Sequence, residues 1–478
     1  MTIEFKPEYL LNLTDNIILD ADSYKASHFT FLEKGTTNVF LYGEARTGAK
    51  FDAVVIDGFQ GFNKRYMMKP VTQFMIDQAE WFLTEHGEPF NREGWEYVLN
   101  THNGYMPVVI NNAEEGTTIP VGCPYFTVEN TDKNPLAAWC APYIETKLIR
   151  TWAPIAVATQ SNEIRKLILS FLEKTGTPEL IDYKMVDFGA RGVSSKETAE
   201  ILGAAHLTSF RSTDNLMGIA YAMTYYNAKG YIKRMFGESI PASEHSVTCA
   251  RGQEGELQFY LDAIENLLGP GKMVSIVGDT YDLDAMLDML GTQVKPYLLA
   301  KGGTFVVRPD SGDPAIQVMN TIRKLDHYFG HTVNDKGYKV LHPSVRIIQG
   351  DGVDYATVRR ILIALETAGY STDNITFGSG GWLLQSLNRD TNRTAMKAAY
   401  VEVGDRKLEI RKVPKTDPSK ASKAGRVTTV LRDGKKICVK EEEILPTDIN
   451  LLRPTYRNGK ILNEIDFDTK RENIKAGK

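Results

Sequence analysis

The chemically capable residues of this chain gather where short apolar runs end. Asp187, Phe188, Arg191, Asp279, Asp282, Arg308, Asp310, Gly350, Asp351, Gly378, Gly380 and Gly381 stand just past such runs, offering charges of both signs, bare backbone and an aromatic ring. In GSGGW (Gly378 to Trp382) a glycine turn enters a helix, so N–H groups can approach an anion closely. This suits a sugar monophosphate; a tight turn is the plainer reading. RPDSGD (Arg308 to Asp313) and QGDGVD (Gln349 to Asp354) set carboxylates beside a fixed cation or open backbone. Such groups can hold ribose hydroxyls or the waters of Mg²⁺, although a single Asp there more often caps the next helix. Repetition at several strand ends favours a site. His245, in SEHS, is a candidate for catalysis or phosphate transfer against the commoner structural role. Tyr24 in DADSYK and Phe188 in DFGAR can sandwich a flat heterocycle, with core packing the default for each. Arg389, Arg393, Lys397, Arg411, Lys412, Lys415, Lys420, Lys423 and Arg426 form a basic stretch whose ordinary reading is a solvated hairpin.

The framework that must position these residues is legible between about Lys184 and Leu387. Five apolar runs (YKMVDFGARG, MVSIVGDTYD, TFVVRPDSGD, VRIIQGDGVD and NITFGSGG) each end in a polar, glycine-containing turn and enter a helix. Apolar strands without alternation belong to parallel sheets covered on both faces, and their order calls for right-handed βαβ units. An α/β fold with a β/α barrel-like domain is expected, a doubly wound sheet being the alternative. Either puts the strand-end residues on one rim. Ser194 and Glu197 fit a capping box, and Pro314 fits a helix start. From Asn16 to about Asp132, runs such as NIILDADSY, NVFLYGEAR and MPVVINNAE alternate with turns around a helix near Val71 to Glu85. A helix near Gln160 to Lys174 follows, closed by Gly176. After Arg393 the chain is β-rich again (KAAYVEV, RKLEIRKV, RVTTVLRDG, KKICVKE). Two domains are expected: a β-rich α+β domain from 1–179 with 388–478, and the barrel-like catalytic domain 180–387.

Composition narrows the function class. The chain has 478 residues, 42% hydrophobic and 24% charged, which excludes disorder and collagen. Lys and Arg number 56 against 60 Asp and Glu, a net charge of −4, so no overall basic field favours nucleic acid. Four cysteines without paired spacing argue against a disulfide framework and a structural zinc. No run is long and apolar enough for a membrane span, and no leader is evident at the start, so a cytoplasmic protein without a membrane partner is expected. No GxxxxGK[ST] loop, GxGxxG fingerprint, GxSxG elbow or HExxH helix occurs, which lowers kinase, Rossmann dehydrogenase and zincin readings.

In order along the chain stand LDADSYKASH, YGEAR, VENTD, DFGARGVSS, STDNLMG, SIPASEHS, GDTYD, RPDSGDP, IIQGDGVD, FGSGG, NRD and KTDPSKASKAGR. Together they resemble the nicotinamide phosphoribosyltransferases, type II phosphoribosyltransferases of NAD salvage. The resemblance implies transfer of phosphoribosyl from 5-phosphoribosyl-1-pyrophosphate to nicotinamide, with Mg²⁺, with ATP hydrolysis coupled through a phosphohistidine, and in a homodimer with shared active sites. At matching positions it implies that Phe188 and Tyr24 stack the pyridine ring, with Asp22 nearby, Asp214 accepting from the carboxamide, Arg308 lining the pocket and Arg191 beside ring and phosphates. It implies Asp310 and Asp351 near the ribose and Mg²⁺, and Gly350, Gly380 and Gly381 around the 5-phosphate. Arg46, Arg389, Lys397, Lys412 and Lys420 match cations that grip phosphate and pyrophosphate. His245 matches the phosphorylated histidine, with Ser239 nearby and Asp282 as its orienting carboxylate. Trp382, Ala395 and Gly278 depart from the family pattern, where a glycine and two serines are expected, and put phosphate affinity in question. A nicotinate phosphoribosyltransferase and a catalytically silent metabolite-binding protein are the competing readings.

Overall fold

The computed structural model describes residues 5–227, 230, 234–416 and 421–478. Lys420 lies outside them. The chain divides into two units: Met1–Thr159 with Met223–Ile232 and Leu387–Lys478, and Gln160–Ala222 with Lys233–Ser386. The first cut falls inside one long helix, Trp152–Thr175, which begins eight residues earlier than the apolar pattern suggests.

The first unit is built on a seven-stranded antiparallel sheet. Its order is Arg406–Glu409, Ala395–Val403, Thr36–Glu44, Pro124–Asn130, Val108–Ala113, Leu452–Arg457 and Lys460–Ile461. Three strands from the N-terminal part stand at its centre, flanked on each side by two from the C-terminal part. Residues of Thr36–Glu44 are buried on both faces, and Phe59, Tyr125 and Phe126 fill the core. The expected helix near Val71 is Gln73–His86, with Thr72 Oγ1 accepting from Met75 N at 3.3 Å. NIILDADSY is not a strand, as its apolar run suggested. Asn16 Oδ1 accepts from Ile18 N at 3.0 Å and its Nδ2 donates to Met75 O and Gln78, so the segment turns instead. It then enters a single helical turn, Tyr24–Ser27.

A C-terminal helix, Phe467–Lys475, plugs this unit. Lys470 is fully buried, 2.8 Å from Asp57 Oδ2 and 3.2 Å from Glu115 Oε2, with its ammonium 4.3 Å from the Tyr226 ring centroid. Burial raises the Asp57 carboxyl above the usual range, Lys470 opposes that, and Glu115 adds to it.

The second unit is barrel-like. Five parallel strands stand in the order Met185–Asp187, Ile375–Ser379, Val345–Gln349, Thr304–Arg308 and Met273–Val277. Isolated parallel bridges Asp187 to Thr213, Ser212 to Glu238 and Ala242 to Ser275 carry the pairing round from the first edge to the last. These bridges distinguish a barrel-like closure from an open doubly wound sheet. All five expected helices follow their strands: Lys196–His206, Leu283–Met289, Pro314–Phe329, Tyr355–Thr367 and Gly381–Gln385. Pro314 is at the first turn of its helix, capped by Asp313. The cap of Lys196–His206 is Ser195, whose Oγ accepts from Thr198 N at 3.1 Å, one residue on from the Ser194 and Glu197 pair expected.

Candidate active site

In the second unit the strand ends bring Phe188, Asp214, Ser239, His245, Arg308, Asp310 and Gly350 to one rim. Phe188 follows the strand Met185–Asp187, and its N–H donates to Ser379 O at 2.9 Å. Its ring lies over bare backbone: a Cβ on Gly378 would stand 2.1 Å from Phe188 Cε2, and one on Gly350 would stand 3.3 Å from it. Only glycine at 378 leaves room for an aromatic ring at this depth. A cavity of about 570 Å³ opens beside the ring. Val186, Ile240, Val306 and Ile348 give it an apolar wall, Asp214 and Ser239 lie among its polar lining, and Lys184, Glu238, Arg346 and Asp373 line it further along, towards the starts of the strands. The Ser239 hydroxyl donates to the exposed Asp214 carboxylate. Ser239 thus serves the acceptor expected to meet the carboxamide.

Asp187, one residue before Phe188, is buried and accepts from Gly189 N at 2.7 Å and Asn215 Nδ2 at 3.1 Å. Burial pushes its carboxyl up to about 6 against the pull of those two donors, and the Asp214 charge adds to the rise.

His245 is 44% exposed and faces three side chains. Its Nδ1 is 3.2 Å from Thr280 Oγ1, and its Nε2 is 3.4 Å from Asp310 Oδ2 and 3.7 Å from Asp279 Oδ1. Asp282, expected to orient this imidazole, does not do so: its Oδ1 accepts from Ala285 N at 3.0 Å and caps Leu283–Met289. Asp279, near the start of the loop after the strand, is the one of the two that faces the imidazole, whereas Asp282 falls where a helix needs its cap. Asp310 lies between the imidazole and Arg308, whose Nε is 3.7 Å from Asp310 Oδ1. Arg308 Nε and Asp279 Oδ1 are buried without a hydrogen-bond partner among the described residues, which leaves them available to a ligand.

Arg191 is 86% exposed, 4.0 Å from Glu244. Asp351 is exposed, with Gln349 Nε2 donating to its carbonyl at 2.8 Å. At the glycine turn, a Cβ on Gly192 would stand 2.7 Å from Gly381 Cα, so the Arg191 loop lies against it, while Gly380 faces open space. Gly278 is packed, since a Cβ there would meet Leu283 Cδ1 at 2.9 Å and a serine would displace that side chain. Among the described residues no group of three His, Cys, Asp or Glu is set to hold a metal. Mg²⁺ asks for less, one or two carboxylates with substrate phosphate oxygens, and the unbonded Asp279 oxygen beside Asp310 fits that donor chemistry.

The remaining predicted residues lie in the first unit, where the structure groups four of five predicted cations. Lys397 is their centre: burial lowers its pKa, Glu145 opposes this, and the charges of Arg46, Lys412 and Arg389 lower it further. An arriving anion would relieve that crowding. Arg46 Nε donates to Arg393 O at 2.9 Å. Tyr24 is 53% exposed, its hydroxyl 3.3 Å from Asp22 Oδ2, which also accepts from Thr146 Oγ1 at 2.8 Å. Two ion pairs of this cluster were not anticipated. Buried Glu44 pairs with Lys423, whose N–H donates to Tyr42 Oη at 2.9 Å, and Glu145 pairs with Lys25. Glu44 in YGEAR and Lys423 in KASKAGR stood inside quoted motifs, but nothing in their spacing joins residues nearly four hundred positions apart.

The description "Nicotinate phosphoribosyltransferase (NAPRTase) family" matches residues 183–459, and "Nicotinamide phosphoribosyltransferase, N-terminal domain" matches residues 16–110. A nicotinamide phosphoribosyltransferase of Xanthomonas campestris is 41% identical, with 88% of this chain and 89% of the relative covered. One from Mycoplasma genitalium is 34% identical, covering 86% and 95%. Among solved structures, the nicotinate-nucleotide pyrophosphorylase of Pyrococcus furiosus matches with a TM-score of 0.63 at 15% identity, covering 99% of this chain and 98% of the other. Human nicotinic acid phosphoribosyltransferase matches with a TM-score of 0.59 at 14% identity, covering 95% and 93%. At those identities the two structures speak for the fold.

Proposed function

The chain belongs to the nicotinate phosphoribosyltransferase family, and from that premise we propose that it makes nicotinamide mononucleotide for NAD salvage. The pyridine nitrogen of nicotinamide attacks the anomeric carbon of 5-phosphoribosyl-1-pyrophosphate as the bond to pyrophosphate breaks. The observation that carries this reading is the pairing, at one rim, of the Phe188 ring over bare backbone with the exposed Asp214 carboxylate. A neutral amide can donate N–H to Asp214; the carboxylate of nicotinate would face a like charge. Amide is therefore preferred over acid.

Charge development favours the remaining assignments. Bond breaking leaves positive charge on the ribose and negative charge on pyrophosphate. We assign Asp310, beside His245, to the first, and the cations around Lys397 to phosphate and pyrophosphate. Asp310, with Asp351 and the unbonded Asp279 oxygen, would hold Mg²⁺, which would supply further neutralisation of the leaving group. We assign ATP coupling to phosphorylation of His245, whose Nδ1 meets Thr280 Oγ1 while its Nε2 faces Asp310 and Asp279. The working form is proposed to be a homodimer in the cytoplasm.

The test is mononucleotide formation from nicotinamide, 5-phosphoribosyl-1-pyrophosphate and Mg²⁺, with and without ATP, beside a matched nicotinate reaction. Preferential use of nicotinamide, faster with ATP, is expected. Equal turnover of nicotinate removes the role of Asp214, and absence of product from either base overturns the catalytic reading.

A further inference from the structure

Asp187 ends the first barrel strand with a carboxylate that solvent does not reach. One oxygen accepts from the Gly189 N–H and so fixes the turn that carries Phe188. The other accepts from Asn215 Nδ2, and the Asp187 carbonyl accepts from the Asp214 N–H at 3.0 Å. Asn215 is itself held, donating to Ala199 O at 2.9 Å and accepting from Gly218 N at 3.2 Å. One buried side chain thus ties the ring wall of the base site to its acceptor wall.

We propose that Asp187 is a positioning residue for the base: its carboxylate sets the spacing between the Phe188 ring and the Asp214 carboxylate. The inference rests on nicotinamide being the substrate. Packing alone does not account for the residue, because asparagine fills the same volume without burying a charge. No cation is among the groups acting on it; its donors are neutral dipoles, and Asp214 is the one charge that faces it. Both neighbours donate, and the ionised form accepts from both at full strength. Protonation weakens one oxygen as an acceptor and sets an O–H beside a donor. With the carboxyl raised to about 6, the clamp is complete above that pH and opens below it.

The experiment compares wild type with Asp187→Asn in the full chain, without ATP so that His245 phosphorylation plays no part. KM for nicotinamide, KM for 5-phosphoribosyl-1-pyrophosphate and kcat are measured from pH 5 to 8.5, beside a thermal melt. The wild type is expected to show an acid limb near pH 6 in kcat/KM for nicotinamide. Asp187→Asn is expected to lose that limb and raise the nicotinamide KM about tenfold, with the other KM changed less than about twofold. If Asp187→Asn does not fold, Asn215→Ser removes a donor to the charged form; it is expected to move the limb to higher pH and raise the same KM. Wild type that makes no mononucleotide overturns the substrate reading. Active wild type, with limb and nicotinamide KM unmoved in the folded variants, overturns the role of Asp187 alone.

Discussion

Replacing Gly378 by alanine attacks the base site from beneath. The added Cβ would stand 2.1, 2.7 and 2.8 Å from three ring carbons of Phe188. Carbon atoms rest at about 3.5 Å or more, so the ring must retreat by roughly 1.4 Å or the strand must shift. Backbone and ring cannot both keep their places. Overpacking of this kind costs about 1–3 kcal/mol, which, taken up by the ring's contact with the base, is roughly a 5- to 150-fold rise in KM for nicotinamide. Gly350→Ala is the internal control. Its Cβ meets Phe188 Cε2 and Arg308 Cδ at 3.3 Å and Asp310 Oδ1 at 3.6 Å, distances that a few tenths of an ångström relieve. Its nicotinamide KM should stay within about threefold of wild type. Steady-state kinetics with each substrate varied, beside circular dichroism to confirm folding, reads both. A folded Gly378→Ala enzyme with the wild-type nicotinamide KM would refute the placement of the ring.

Three further outcomes are expected. His245→Ala should lose stimulation by ATP while retaining slow, uncoupled mononucleotide synthesis; stimulation that persists removes the phosphohistidine assignment. Asp214→Asn keeps size but removes the charge opposing nicotinate, so the rate ratio of amide to acid should fall about tenfold, equivalent to ~1.4 kcal/mol of repulsion, and an unchanged ratio in competition assays counts against the acceptor role. Lys470→Met leaves Asp57 and Glu115 buried without their cation and should lower stability by about 3–5 kcal/mol in urea unfolding at pH 8. The folded protein holds the Asp57 proton more tightly than the unfolded chain, so that carboxyl's contribution weakens as pH rises above about 4 and until it passes the raised folded value. The loss in Lys470→Met should accordingly be smaller at pH 5 than at pH 8, and an equal loss at both would exclude this origin.

Local chemistry in the sequence determined much of this protein. The five strand-to-helix units and the rim positions of Phe188, Arg308, Asp310 and Gly350 follow from short-range pattern, because a parallel strand buried on both faces leaves its polar residues only at its ends, whereas the Phe188 ring over Gly378, where an anion was expected, is a tertiary contact. Cap chemistry was nearly as local, and it was also where local reading slipped: Asp279 and Asp282 stand three residues apart, and spacing alone does not say which one caps a helix and which one faces His245. Asn16 likewise turned an apolar run away from strand geometry through side-chain bonds to residues some sixty positions on. Tertiary structure alone decided the long-range partnerships. Glu44 with Lys423, Lys25 with Glu145, and Lys470 between Asp57 and Glu115 each join distant parts of the chain. Their energies depend on burial and distance after folding, which no residue type or interval carries, and the hydrogen bond from Asn215 to buried Asp187 is of the same kind.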